Sequence, residues 1–284
     1  MRMILGTLAV ALTAWQAAPA HAQLKLPRAS PAASVSQTVG LTDVTVAYSR
    51  PAVKGRAIWG GLVPYDKVWR LGANEATTLE VSQDVTVQGQ KLPAGKYSVH
   101  AIPTATEWTI IFNSVHDQWG SYRYDEKADV LRVKATPAEG AMTELLTFSF
   151  TEVSNTGATL EVAWEKLRIP LKVGVDTNAV ALKSIQENLA KLDDWRLPYR
   201  AADYAFNNGL PTADALKWVD RSIQVKETLY NQGLKARMLA KDGKTKDAVA
   251  AAEKGIKAGK AAKEEAADID ALAKELAQWK TAKK

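Results

Sequence analysis

The chain has 284 residues, 46% hydrophobic and 24% charged, with a net charge of +6 and no cysteine. This composition is ordinary for folded protein and excludes a disordered or collagen-like chain. The lack of cysteine also excludes disulfides, thiolate metal sites and cysteine nucleophiles. Opposite charges alternate near the C-terminus, as in Lys263-Glu264-Glu265, which favours a solvated surface over a nucleic-acid partner.

The first 22 residues have the features of a secretory signal peptide. Arg2 is followed by an apolar run and then by the small-residue pattern Ala20-His21-Ala22. The apolar run is shorter than the ~20 residues that a membrane-spanning helix needs. We therefore predict a signal peptide over 1–22, cleavage after Ala22, and a periplasmic or secreted protein without a transmembrane anchor. A retained N-terminal anchor is the alternative.

Residues 23–173 are predicted to form an antiparallel β-sandwich domain, jelly-roll-like in type. Apolar and polar residues alternate in short runs rich in Val, Thr and aromatic residues, as at Val44, Val46 and Tyr48. About eight or nine such runs without helical patterns between them favour a sandwich, with a closed barrel as the alternative. Hairpin turns are predicted at Gln88-Gly89-Gln90, Pro93-Ala94-Gly95-Lys96 and Asn155-Thr156-Gly157.

Residues 174–284 are predicted to form an all-α domain of about six helices, which makes the whole chain α+β. Asp176-Thr177 is a predicted helix cap, and Pro198 and Asn208-Gly209 are predicted to start and end the next helix. Breaks are predicted near Gly209, Lys226, Gly243 and Gly259.

A weak repeat runs through the helical half. Residues 213–223 align with residues 246–256, and the second copy resembles the second helix of a tetratricopeptide repeat. One interpretation is helix pairs that pack on each other and on the sandwich. The other is a groove that binds a peptide of another protein.

Between Tyr48 and Thr77 the alternation stops, and the segment is rich in Arg, aromatic residues and Gly. Long irregular segments in compact domains often carry function. Arg beside Trp and Tyr is suited to binding a carboxylate, a phosphate or a sugar oxygen. A second polar and aromatic cluster covers residues 117–125. The two clusters would frame a concave site if they met at one end of the sandwich, which the sequence does not determine.

Several motifs over about residues 26–173 resemble domain-of-unknown-function 2911, a family of exported bacterial proteins that often carry a tetratricopeptide-like tail. The resemblance implies no activity, substrate or catalytic residue. His100 departs from the family pattern, in which an apolar or aromatic residue is expected. The motifs are Pro27-Arg28-Ala29-Ser30-Pro31, Tyr48-Ser49-Arg50-Pro51, Lys54-Gly55-Arg56, Val63-Pro64-Tyr65, Val68-Trp69-Arg70, Gly72-Ala73-Asn74-Glu75-Ala76, Leu92-Pro93-Ala94-Gly95-Lys96-Tyr97 and Trp119-Gly120.

Known catalytic patterns are scarce. The chain after residue 22 has only His100 and His116 as histidines and no Gly-x-Ser-x-Gly elbow, which disfavours a serine triad. The spacing of these histidines and the lack of His-Glu-x-x-His disfavour a metal site, so we predict neither a metal nor a cofactor.

Glu75 is the best candidate for a catalytic acid, because it lies in the irregular segment. Its partner carboxylate would be Asp66, Asp117 or Asp125. We favour the interpretation in which Glu75 instead forms an ion pair with Arg50, Arg56 or Arg70 and pins the segment, since ion-pair networks also bring acids and arginines together.

The favoured hypothesis is a non-enzymatic protein whose β domain binds a polar or anionic ligand, such as a glycan or an envelope component. The alternatives are a saccharide hydrolase or lyase that uses Glu75, and a scaffold that binds a protein through its helical domain. Trp69, Trp108 and Trp164 are predicted to be core residues, whereas Trp59 and Trp119 are predicted to be exposed. The predicted ligand-binding residues are Arg50, Arg56, Trp59, Arg70, Asn74, Glu75, Trp119 and Tyr122.

Overall fold

The computed structural model describes residues 26–189 and 194–281. The predicted signal peptide lies outside the described residues. The described chain is a two-sheet antiparallel β region followed by six helices, which confirms the predicted α+β class.

The β region contains ten strands in two sheets. One sheet has the order β1-β2-β3-β6-β7-β8, and the other has the order β5-β4-β10-β9. A short 3-10 helix at Glu126–Ala128 precedes β8. The strands are β1 (Ala32–Val39), β2 (Thr42–Ser49), β3 (Thr78–Val81), β4 (Val85–Val87), β5 (Gln90–Leu92), β6 (Gly95–Ile102), β7 (Trp108–Asn113), β8 (Asp129–Ala135), β9 (Ala138–Thr151) and β10 (Gly157–Val175).

The two sheets pack face to face over one apolar core. Alternation along β2 turns Val44 and Val46 inward, where they are buried, and leaves Asp43 exposed on the outer face. Ile110 of the six-stranded sheet and Leu171 of the four-stranded sheet lie in the same buried cluster. Full burial of each such side chain contributes about 1.5–3 kcal/mol, so this core is the main stabilising element of the β region.

Two of the three predicted hairpins are present. Gln88 and Gly89 both have positive φ values, 50° and 77°, as the tight turn between β4 and β5 requires. β9 and β10 also form a hairpin, with residues 152–156 between them. The prediction at Pro93-Ala94-Gly95-Lys96 is wrong, because β5 and β6 belong to different sheets and this turn carries the chain from one sheet to the other.

The helices begin directly after β10. Asp176 caps the first of them, since its Oδ1 accepts a hydrogen bond of 2.9 Å from the Ala179 amide. Within the described ranges, no helix is both long and apolar enough to cross a membrane. The helices are α1 (Thr177–Leu189), α2 (Arg196–Asn207), α3 (Thr212–Val225), α4 (Leu229–Lys241), α5 (Thr245–Ala262) and α6 (Ala266–Thr281).

The break predicted near Gly259 lies a few residues later, at residues 263–265. α5 continues to Ala262 and ends at Lys263, which has a left-handed φ of 56°. Gly259 is buried inside the helix, and a Cβ there would lie 3.2 Å from Leu229 and 3.3 Å from Ile269. The glycine therefore serves close helix packing. α2 packs on α3 and α4 packs on α5, while the tetratricopeptide-like character of these pairs stays a prediction.

Candidate functional site

A cavity of about 690 Å³ lies on the outer face of the six-stranded sheet. Its floor is built from side chains on neighbouring strands, including Ala32, Ala47, Thr78 and Lys96. Its wall is formed by Glu75 and by five residues of the segment between β7 and β8, namely His116, Asp117, Gln118, Trp119 and Arg123. Both the size and the mixture of polar and apolar groups are typical of small-molecule sites.

The floor is open because its central side chains are small. Ala47 of β2 lies opposite Thr78 of β3, and both alternate with buried core residues, so they face outward. Next in the same row is Ser98 of β6, which is buried under the segment after β7. Small residues in two adjacent strands leave a depression, and the covering segment turns it into a cavity.

Asn113, at the end of β7, holds the cavity wall on the sheet. Its Nδ2 donates to the Asp129 carboxylate at 2.8 Å and to the Asp125 carbonyl at 2.9 Å. Its Oδ1 accepts from the Val115 amide at 2.9 Å, and Ser98 Oγ donates to the Val115 carbonyl at 2.8 Å. Buried groups that satisfy one another in this way fix the position of the segment that carries Trp119.

A second anchor lies around Asp129. Tyr124 Oη donates to its Oδ2 at 2.6 Å, and Arg132 Nε donates to the same oxygen at 2.7 Å. Arg132 Nη2 also donates to Tyr124 Oη at 2.7 Å. Burial and the Asp129 carboxylate raise the pKa of Tyr124 to about 12, so the phenol keeps its proton and its donor role at neutral pH.

His100 is fully buried beneath the same segment and is not part of the cavity lining. Its Nε2 lies 3.1 Å from Ser98 Oγ, and its ring packs edge-on against Tyr124 at 5.2 Å. Nδ1 has no hydrogen-bond partner among the described residues. Burial lowers the pKa of His100 to about 4, with Asp129 opposing the shift, so the ring is neutral at pH 7.

The structure brings together the two aromatic segments whose proximity the sequence left open. Glu75 and Trp119 form an antiparallel backbone bridge, and the Ala76 amide donates to the Gln118 carbonyl at 3.0 Å. The Arg70 guanidinium lies 5.7 Å above the Tyr122 ring centroid. The two segments therefore form one continuous surface beside the sheet.

Glu75 forms an ion pair with Arg28, and its Oε1 and Oε2 both accept from Nη1 at 2.7 Å. The expected pairing with an arginine at position 50, 56 or 70 is therefore wrong. The hydrogen bond from Arg28 lowers the pKa of Glu75, which is half-exposed. An ionised carboxylate is suited to accept hydrogen bonds or a proton, but it is not a general acid at neutral pH.

The three arginines predicted to bind ligand are bonded to their own segment or to β9. Arg50 donates to the Leu146 carbonyl at 2.9 Å and to Thr147 Oγ1 at 2.6 Å. Arg56 donates to the carbonyls of residues 52 and 53 and borders a separate small recess. Arg70 donates to the Asn74 carbonyl at 2.8 Å. None of the three lines the large cavity.

Trp59 is partly buried in a cluster of four tryptophans that packs against the core, in contrast to its predicted exposure. Its ring packs edge-on against Trp69, Trp108 and Trp164, with centroid distances of 6.0, 4.9 and 5.7 Å. The other three rings occupy the core or its margin, as predicted. Tryptophan rings stabilise a core mainly by burying large apolar area, so this cluster closes the sandwich.

The remaining predicted residues lie at or beside the cavity. Trp119 is 52% exposed and lines it. Asn74 has a φ of 59° and donates from Nδ2 to the Ser30 carbonyl at 3.0 Å, which positions the adjacent Glu75. Tyr122 is 80% exposed and lies against Arg70 outside the lining.

Sequence reasoning included Gln118 and Arg123 in the second cluster without selecting them as binding residues, and it did not assign Lys96 to a site. The alternation marks Lys96 as outward-facing, but only the order β2-β3-β6 shows that it shares a surface with Ala47. Gln118 is almost fully buried in the cavity wall, and its Oε1 has no partner among the described residues. Within the described ranges, no group of three or more His, Asp or Glu side chains is arranged to hold a metal ion.

A family model described as "Protein of unknown function (DUF2911)" matches residues 30–173, which is just over half of the chain. The chain belongs to this family. The matched region runs from before β1 into β10, so the DUF2911 region contains the floor and the wall of the cavity. No curated protein and no solved structure matches the chain.

Proposed function

We propose that this DUF2911 protein is exported and binds a saccharide, without catalysis, in the cavity on its six-stranded sheet. The observation that supports this most is the half-exposed Trp119 indole in a wall that also contains acidic, amide and basic side chains. An aromatic face can pack against the apolar face of a sugar ring. The surrounding polar groups fix the orientation of such a ligand.

The polar lining suits hydroxyl groups, which both donate and accept hydrogen bonds. Asp117 is an acceptor and Arg123 is a donor, and neither has an ion-pair partner within 4 Å in the described part of the chain. Charge-assisted hydrogen bonds of this type are stronger than those between neutral groups. Both groups are therefore available to bind a ligand.

An uncharged saccharide fits this lining better than an anion. The cavity contains the carboxylates of Glu75 and Asp117 as well as the cations of Lys96 and Arg123. The arginines at positions 50, 56 and 70, which suggested an anionic ligand, bond elsewhere. A small anion would experience repulsion from two carboxylates, whereas sugar hydroxyls can satisfy groups of both signs.

The test is calorimetric binding of the chain after residue 22 to a panel of neutral and acidic oligosaccharides. For a neutral ligand, we expect Trp119→Ala to weaken affinity about tenfold, which is about 1.4 kcal/mol. Tyr122→Ala is the matched control, because this exposed aromatic residue lies outside the lining. The proposal fails if no saccharide binds, or if Trp119→Ala binds as tightly as the unmodified protein and the Tyr122→Ala control.

A saccharide hydrolase or lyase is a second candidate, because Glu75 and Asp117 both line the cavity. The ion pair with Arg28 keeps Glu75 ionised, so its role would be that of a base. Release of reducing ends by the unmodified protein, with loss of that activity in Glu75→Gln, would support catalysis. Binding without product release would leave the non-enzymatic proposal in place.

A further inference from the structure

Strand β1 is an open edge of the six-stranded sheet. The other sheet edges are covered, short or charged. β9 is covered at residues 144–146 by residues 51–53, through bonds such as Leu146 N to the Pro51 carbonyl at 3.0 Å, and it carries Glu139 and Glu144. β5 has three residues, and β8 carries Arg132 and Lys134. Among the described residues, no strand pairs with the outer side of β1.

The hydrogen-bond pattern shows which backbone groups of β1 face this open side. The Arg50 amide donates to the Pro31 carbonyl, and Ser82 N donates to the Asp43 carbonyl on the opposite side of β2. In an antiparallel ladder, alternate residues bond to alternate neighbours, so the odd-numbered residues of β1 bond to β2. The N–H and C=O groups of the even-numbered residues, Ala32, Ser34, Ser36 and Thr38, therefore point to the open edge.

Few of these groups have a partner. The Thr38 carbonyl accepts from Gln37 Nε2 at 2.9 Å, and the other edge-facing backbone groups of β1 bond to no protein group among the described residues. An unpaired row of backbone donors and acceptors is a template for another strand.

β1 also lacks the features by which edge strands avoid pairing. Its eight residues contain neither a charge nor a proline, and its register with β2 is continuous from Ala32↔Ser49 to Val39↔Thr42, without a bulge. The residues that alternate on its exposed face are small, as at Ser34 and Ser36. The side chains of β1 itself therefore do not oppose pairing with another strand.

We propose that β1 pairs with β1 of a second copy of this chain in antiparallel orientation, which joins the two six-stranded sheets. A two-fold axis at Val35 would place Ser34 of each copy opposite Ser36 of the other, and Ala32 opposite Thr38. The edge-facing N–H and C=O groups of the even-numbered residues in one copy then lie opposite those of the other copy. No like charges lie opposite each other. This self-complementarity favours a second copy over an unrelated peptide.

The expected dimer is weak. Stable interfaces bury about 1,200–2,000 Å², more than two short edge strands provide on their own. The association should therefore depend on concentration. Ala32 also lines the large cavity, so the second copy would border that site. The dimer does not depend on what the cavity binds.

The test is the mass of the chain after residue 22, measured by light scattering and sedimentation over a wide concentration range. Ser34→Lys adds the charge that protects natural edges, and Ser34→Pro removes an edge donor that β2 does not use. Gln90→Lys, at the exposed edge strand β5, is the matched charge control. We expect dimer formation in the unmodified protein and in the control, and at least tenfold weaker association in both Ser34 variants with unchanged circular dichroism.

A chain that stays monomeric at all concentrations would overturn the proposal, and so would a dimer that both Ser34 variants retain. If the unmodified chain stays monomeric but its β1 edge captures an unrelated extended peptide, the second-copy assignment is wrong.

Discussion

Trp59-Gly60 and Trp119-Gly120 have the same local sequence but lie in different environments. Both glycines have positive φ values, 76° and 65°, so both tryptophans precede a tight turn. Trp59 lies in the tryptophan cluster at the core, whereas Trp119 is half-exposed at the cavity. A Trp-Gly sequence thus predicts a turn, but it does not predict which residues pack against the tryptophan. Those neighbours depend on the order of the strands in the sheets.

Replacing Trp59 should have the largest effect on stability. Trp59→Ala removes a ring that contacts three other tryptophans, and we expect the free energy of unfolding to fall by about 3–5 kcal/mol. Denaturant unfolding measures this difference. A small loss of stability, combined with a loss of saccharide binding, would assign Trp59 to the site instead of the core.

Acid should lower the free energy of unfolding through His100, which is buried beneath the segment that carries Trp119. An unfolded histidine binds a proton below about pH 6.5, but the folded protein does not protonate His100 until about pH 4. The stabilising contribution of neutral His100 is therefore fully present above pH 6.5. It is lost as the pH falls toward 4, which lowers the free energy of unfolding by about 2–3 kcal/mol. His100→Gln should reduce this pH dependence when unfolding is measured at pH 7 and pH 4.5. Equal slopes in the two proteins would show that the histidine titrates normally.

Removing the Arg50 guanidinium should weaken the attachment of the segment after β2 to β9, where backbone bonds from residues 51 and 53 remain. Arg50→Met keeps the apolar stem but loses two hydrogen bonds, and we expect about 1–3 kcal/mol of destabilisation. Thermal unfolding checks the stability, and calorimetry should show unchanged saccharide affinity. Lost affinity in a folded variant would mean that this segment positions the cavity.

Replacing Trp119 should have the smallest effect on stability. Its ring is half-exposed on a segment that Asn113 and Asp129 anchor independently, so Trp119→Ala should change the free energy of unfolding by about 0.5 kcal/mol or less. The same denaturant experiment as for Trp59→Ala gives the direct comparison. Similar losses in both variants would remove the distinction between the two regions.

Much of the fold could be predicted from periodicity. Period-two alternation locates strands such as β2 and β7, because one side of each must be buried, and helical spacing locates α1 to α6. The turn before Lys96 was misassigned because a turn sequence does not show whether the chain returns to the same sheet. The break near Gly259 lies at residues 263–265 instead, because this glycine serves close helix packing and does not end the helix.

The candidate site was only partly predictable. Glu75 and Trp119 stood out because they lie in irregular, polar and aromatic segments. Lys96 belongs to a strand with an ordinary alternating pattern, and its role depends on β3 lying between β2 and β6. The partner of Glu75 could not be predicted, since Arg28 is 47 residues away in sequence and the contact is purely tertiary.

The position of the segment before β1 has a practical consequence. Arg28 bonds Glu75 at the cavity, and the Ser30 carbonyl accepts from Asn74, so residues 28–30 pass the mouth of the cavity. An affinity tag fused just before this segment would lie beside the cavity opening and compete with the proposed saccharide for the same space. Purification handles are better placed after α6.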